Sequence, residues 1–325
     1  MYPGNQRVVE SETIIFDTDM GNDIDDALAL DILFKYQDEN RINLLGIMLN
    51  KDYVYAPTFV DIMCNWYGYP WIPIGVFTHA DTLSAAGYNF TTHVCNMKNE
   101  ESQFIFERTI TDYNKLPKAY DLYRKLLSDQ PDTSVTIISV GFMTNLALLM
   151  DTQADQYSPL TGKELVARKV KLLSIMAGSF TEEPYAEWNI LIDKLSATRV
   201  FAEWPSKIVV SPFELGDAIH YPGESIEHDF TWADYHPVVE GYKAFSQMPY
   251  NRSIWDLTSV LYAVEGESVF FNLSTKGDIN INEYGYTHFI ADENGKHQYL
   301  TATTEQQKAI LNQVVNMITK RPQKY

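Results

Sequence analysis

Asp17, Asp19, Asp23, Asp25 and Asp26 place five carboxylates within ten residues. They follow the apolar run Thr13-Ile14-Ile15-Phe16 and precede Ala27-Leu28-Ala29-Leu30. Carboxylates this close repel one another, and the cost is offset only by a cation or by dedicated hydrogen bonds. In open α/β sheets, ligands bind in the loops that leave the carboxyl ends of strands. The cluster therefore reads as a divalent-metal site. Its donors are all oxygens, which suits a hard cation, and calcium accepts several carboxylates and carbonyls in a flexible shell. Zinc fits less well, because no Cys or His lies nearby in sequence. The spacing is not that of an EF-hand: Gly21 and Leu28 occupy positions where that loop needs oxygen ligands. An acidic helix start would account for Asp25 and Asp23. It does not account for Asp17 and Asp19, which alternate along the end of a buried strand.

The elements that must hold this cluster follow from hydrophobic patterning. β-Branched apolar runs alternate with helical periodicity, which predicts parallel βαβ units. Strands are expected at residues 13–16, 43–49, 72–76, 134–140, 170–176 and 207–211. Helices are expected at 25–36, 56–66, 119–128, 143–150, 195–204, 257–264 and 305–320. Residues 269–300 differ, with alternating Phe, Ile, Tyr and Thr and a turn at Glu293-Asn294-Gly295. They predict a small β-excursion before the last helix. No repeat or linker interrupts the pattern. The expectation is one α/β domain over 1–325: a mostly parallel, Rossmann-like sheet flanked by helices, with a polar lead-in at 1–12.

Length and composition bound the function. A chain of 325 residues, 45% hydrophobic and 21% charged, is globular and buries a large core. A net charge of −18 and the lack of a basic stripe argue against nucleic acid and favour a small neutral or cationic substrate, or one met through a metal. No run of about 18 apolar residues predicts a membrane span. Cys64 and Cys95 allow at most one disulfide, and Cys64 reads as a core residue. The compartment stays open, since a leader could have been removed ahead of the polar lead-in.

Further polar residues fall where strands should end. Asn50 closes the run 44–49, and 139–145 reads as a strand end, a Gly turn and a helix start whose carbonyls face the rim of Asp19. Glu187 and Asn189 flank Trp188, and Trp255-Asp256 opens a helix, with Asp256 a plausible N-cap. Singly, each has a plain structural explanation as turn residue, solvated charge or cap. Together they gather on one rim of one sheet.

The motif Asp-Thr-Asp-x-Gly-Asn-Asp-x-Asp-Asp-Ala at 17–27 resembles the signature of the calcium-dependent, inosine/uridine-preferring nucleoside hydrolases. The resemblance extends through Asn50, 141–145, 186–189 and Asp256, over about residues 13–265. It implies that Asp19, Asp26, the Val140 carbonyl and Asp256 hold calcium. Asp19 would also take a proton from the water that the ion activates. Asp25, Asn50, Glu187, Asn189 and Asp256 would bind the ribose hydroxyls, with Asp17 and Asp23 in support. It further implies a nucleoside substrate and a homodimer or homotetramer. The physics agrees: an oxocarbenium-like sugar is stabilised by surrounding carboxylates, and a neighbouring carboxylate can serve as general base.

Three departures from the family pattern stand out. The opening motif carries the extra pair Asn22-Asp23. The loop 179–185 lacks the family's additional ribose-binding Asn, leaving Glu182 or Glu183 as substitutes. Trp255 stands where many members place a proton-donating His, similar to the purine-specific branch, in which an aromatic stacks on the base. Tyr88, Phe90, His79 and His93 are candidate partners for it. Two other readings compete. A haloacid-dehalogenase-type phosphatase would use Asp17 as nucleophile and Asp19 as acid/base with magnesium. A non-catalytic calcium- and riboside-binding protein would need no leaving-group acid.

Overall fold

The computed structural model describes residues 11–77, 90–183, 185–267 and 269–325. Twelve strands appear among these residues. The first six are β1 (Glu12–Thr18), β2 (Ile42–Leu49), β3 (Ile74–Val76), β4 (Val135–Ser139), β5 (Val170–Met176) and β6 (Lys207–Ser211). All six pair in parallel, in the order β6-β5-β4-β1-β2-β3. Their apolar runs are nearly continuous because helices cover both faces. Ile14 and Phe16 enter one core cluster and Ile15, between them, enters the other.

The chain moves outward from β1 on one side through β2 and β3. It then crosses back to β4 on the other side. This reversal creates a crevice at the carboxyl ends of β1 and β4, where α/β sheets bind ligands. The helix Asp25–Asp38 starts at that rim, and so does the helix Trp255–Glu265. The two pack against each other.

The remaining strands are β7 (His220–Tyr221), β8 (Arg252–Ser253), β9 (Asn272–Leu273), β10 (Gly277–Ile281), β11 (Thr287–Ala291) and β12 (His297–Thr301). β7 and β8 form a separate antiparallel pair. β10 and β11 form a hairpin about a turn at 282–286, while the turn expected at 293–295 leads from β11 to β12, which lies parallel to β6 with Tyr299 opposite Val210. The region 269–300 is thus less an excursion than an extension of the main sheet. Parallel pairing leaves no local turn signal, so the sequence showed only a β-rich segment with a turn.

Most expected elements are present with shifted ends. β1 runs on to Thr18, which makes Asp17 and Thr18 strand residues. The helix expected from Leu257 begins at Trp255 after Ile254, so Asp256 sits inside its first turn and is not the N-cap. Short helices such as Trp188–Ile192, Phe213–Asp217 and Gly223–His228 escaped the sequence reading. They are too short to show a 3.6-residue period. Cys64 and Cys95 are buried free thiols. No described helix is long and apolar enough to cross a membrane.

Candidate active site

The strand ends converge on one cleft of about 360 Å³. Its lining is partly acidic, with Asp19, Asp23, Asp25, Asp26, Asp256 and Glu187, and partly aromatic, with Tyr185, Trp188, Phe213 and Trp255.

Asp17 organises the rim from below. It is fully buried and accepts from Tyr123 Oη at 2.8 Å, from Asn145 Nδ2 at 3.3 Å and from Asn50 Nδ2. Burial pushes its carboxyl up to about 7, against the pull of these donors. Asn50 Oδ1 accepts from the Phe142 N–H at 3.2 Å. Both ends of the Asn50 amide therefore serve the protein, and Asn50 is not among the residues lining the cleft. It ties β1 to the turn after β4. Gly141 makes this possible: a Cβ there would stand 2.6 Å from the Asp19 nitrogen and 2.7 Å from Asn50 Oδ1.

Asp25, Asp26 and Asp256 bring carboxylate oxygens within 4.8 Å of one another, all three buried. Asp19 lines the same cleft outside this tight group. The difference has a local cause. Asp25 Oδ2 is drawn to the Asp256 N–H at 3.1 Å, which fastens one helix start to the other. Asp19 is drawn instead to the side-chain amide of Asn22, and Asp26 accepts from the Thr18 hydroxyl. Burial holds Asp25, Asp26 and Asp256 well above the usual carboxylate range, and repulsion from neighbouring aspartates adds to it. Burial pushes Asp19 up to about 6, partly offset by Asn22 and Lys51. Lys51 is buried, yet its Nζ donates to Asn22 Oδ1 rather than to a carboxylate. Desolvated, mutually repelling carboxylates with so little local compensation fit a hard divalent cation.

Glu187 caps the helix Trp188–Ile192, accepting from the Asn189 N–H at 2.7 Å and the Ile190 N–H at 3.3 Å. It also accepts from the Gly178 N–H at 3.0 Å. Burial raises it to about 7 despite these donors. Asn189 Nδ2 donates to the Val140 carbonyl at 3.0 Å and the Met176 carbonyl at 3.2 Å. The Val140 oxygen thus reaches the site with one lone pair engaged and one free. Thr287, the first residue of β11, closes the loop behind Glu187. Its hydroxyl accepts from the Ser179 N–H at 3.0 Å and donates to the Ser179 carbonyl at 2.5 Å.

The aromatic wall is a chain of contacts. Trp255 stacks on Phe213 at 5.6 Å and 23°, and Phe213 meets Tyr185 at 4.6 Å. Gly216 admits Trp255, since a Cβ there would lie 2.4 Å from the Trp255 Cα. Arg252 completes the wall, its guanidinium carbon 4.9 Å from the Trp255 ring centroid. Asp23 anchors Arg252 through Nε at 2.9 Å and through Nη2.

Several expectations about the base pocket change. Phe90 belongs to the core, His93 is exposed, and neither lines the cleft. His79 and Tyr88 lie outside the described residues. Glu182 and Glu183 are exposed and stand away from the cleft lining, so they do not replace the absent Asn. Tyr185, from the same loop, does line the cleft. The phosphatase reading fails at Asp17, whose two oxygens are buried and engaged and cannot act as a nucleophile. Sequence reasoning missed Lys51, Phe213 and Arg252, none of which lies in a motif, and gave no role to Thr18 inside the opening one. Lys51 had one signal, a cation directly after a strand-ending Asn.

The sequence model of the inosine-uridine preferring nucleoside hydrolases matches residues 14–317. No curated protein matches the chain. Among solved structures, a plant nucleoside hydrolase, the PpNRh1 enzyme, is similar at 18% identity and a TM-score of 0.68, covering 95% of this chain and 99% of its own. The inosine-uridine preferring nucleoside hydrolase of Bacillus anthracis is similar at 16% and 0.65, covering 94% and 99%. The purine-preferring ribonucleoside hydrolase of Gardnerella vaginalis is similar at 14% and 0.70, covering 95% and 98%. At these identities the structural likeness establishes the fold.

Proposed function

This chain belongs to the inosine-uridine preferring nucleoside hydrolase family, and from that premise we propose that it hydrolyses the N-glycosidic bond of ribonucleosides, purine ones in preference. Calcium is the proposed metal and Asp19 the general base. The observation that carries this reading is the convergence of Asp25, Asp26 and Asp256 within 4.8 Å in a cleft that aromatic rings also line.

Asp26, Asp256, Asp19 and the Val140 carbonyl would hold the ion, with Asp25 beside them. When bound, the ion supplies a Lewis acid that gathers the ribose diol and the attacking water and lowers the water's pKa. Asp19, with one oxygen on Asn22, keeps the other to accept the proton of that water. Asp25 has one oxygen on the Asp256 N–H and keeps the other for a ribose hydroxyl. Glu187 has three backbone donors and room for one more. Glu187 and Asn189 bind the sugar from the β5 side. The carboxylates stabilise the positive charge that develops on the ring. The aromatic wall takes the base, and purines present it with the larger face.

The test is chromatographic release of free base from inosine, guanosine, adenosine and uridine, with calcium and with excess chelator. Chelator-sensitive release, faster for purine nucleosides, is expected. No release from any of them with calcium still bound would leave a riboside-binding protein.

A further inference from the structure

We propose that Arg252 stabilises the departing base, replacing with fixed positive charge the proton that other members take from a histidine. The inference rests on the hydrolase reading above. Arg252 is the one cation among the described residues that line the cleft. It is presented by β8, three residues before Trp255, and its side chain is 29% exposed. Nε and Nη2 are spent on Asp23, while Nη1 makes no hydrogen bond with the described residues. A guanidinium carries two N–H donors on Nη1. The guanidinium carbon stands 4.9 Å from the Trp255 ring centroid, in the cleft that Trp255 and Asp23 both line.

The chemistry of the bond supplies the need. When C1′–N breaks, its electron pair goes to the base nitrogen, while the water oxygen bonds to C1′ and the water's proton goes to Asp19. The base leaves with developing negative charge and recovers a proton from solvent. No histidine lines the cleft among the described residues. Arginine does not release a proton at working pH, so its contribution is electrostatic, with hydrogen bonds to the charged leaving group. Packing against Trp255 and Phe245, the latter centroid 5.1 Å away, limits the motion of the guanidinium. Asp23 fixes its plane in two-point contact. The extra pair Asn22-Asp23 acquires a purpose here. Asp23 orients Arg252, and Asn22 bridges Lys51 to Asp19.

The experiment compares kcat/KM on inosine and on p-nitrophenyl β-D-ribofuranoside for the calcium-loaded protein and its Arg252→Gln and Arg252→Lys variants. Nitrophenolate is a stable anion that needs little help to leave. Arg252→Gln is expected to lose about 100-fold on inosine, the scale of one preorganised donor. The loss on the nitrophenyl riboside should be at least about tenfold smaller, with Arg252→Lys falling between wild type and Gln. Equal losses on both substrates would make Arg252 a support for the wall alone and overturn the proposal, as would no loss on either. A Gln variant that does not fold hands the comparison to Lys, for which the same unequal loss is required. If the wild type cleaves neither riboside, the hydrolase reading falls first.

Discussion

Asp19 differs from the carboxylates around it in being tied to one side-chain amide and otherwise facing the cleft. Asp19→Asn keeps the shape and removes the base, so kcat on inosine should drop by about 10²–10⁴-fold. Steady-state kinetics with saturating calcium checks this, and near-normal turnover would move the general base elsewhere. Trp255 poses a separate question, because its ring already stacks on Phe213 and carries Arg252 beside it. Trp255→Ala should lower kcat/KM on inosine by about tenfold, on the scale of one aromatic contact. An unchanged rate would leave Trp255 as packing. The roles of Asp17 and Asn50 illustrate what residue types alone leave open. Asn50 was expected on the ribose, yet the fold spends its amide on Asp17 and the Phe142 N–H, while Asp17, expected as a hydrogen-bonding support, lies buried beneath Tyr123.

At the scale of elements, the loop after β5 depends on a strand more than a hundred residues later. Thr287 of β11 bonds both backbone groups of Ser179, next to the Gly178 N–H that Glu187 accepts. Thr287→Val keeps the volume and leaves the Ser179 N–H buried without a partner, at a cost of about 1–3 kcal/mol. A lower thermal midpoint together with a raised KM for nucleoside is expected. An unaltered midpoint would show that the hairpin only rests against the loop. The β-like character of 269–300 was legible in its alternation, but its purpose was not. Nothing local marks that β12 joins β6 or that Thr287 reaches Ser179. The helix starts at Asp25 and Trp255 show the same limit. Each was near its expected place, while the bond between them required the two helices to meet.

For the whole molecule, the buried carboxylates set a pH dependence whose sign follows from their direction. Asp17 and Glu187 are raised to about 7 and Asp19 to about 6, and Asp25, Asp26 and Asp256 are also raised. Between the ordinary carboxylate values and these raised ones, the metal-free native state binds more protons than the unfolded chain. Its stability therefore falls as pH rises from about 4 to about 7. A bound divalent ion compensates the same charges, and its affinity rises over that window as protons leave. Chelator should thus lower the melting temperature strongly at pH 7.5 and little at pH 5, as followed by scanning fluorimetry. A midpoint indifferent to calcium and chelator at pH 7.5 would argue against a metal at this cluster.

The cluster at 17–26, the alternation of strand and helix, and the polar residues at strand ends were all local patterns, and each is readable because its physics is local. Mutual repulsion, periodicity and turn chemistry act between near neighbours in the chain. They located the rim, its acidic character and the fold class. The tertiary structure alone decided which carboxylates converge, that Asn50 turns inward, and that Phe213, Tyr185 and Arg252 join the cleft lining. Those outcomes depend on which strand ends lie side by side and which hydrogen bonds survive burial. Crossovers, not neighbours in sequence, bring Asp23 to Arg252 and Asp25 to Asp256 across more than 200 residues.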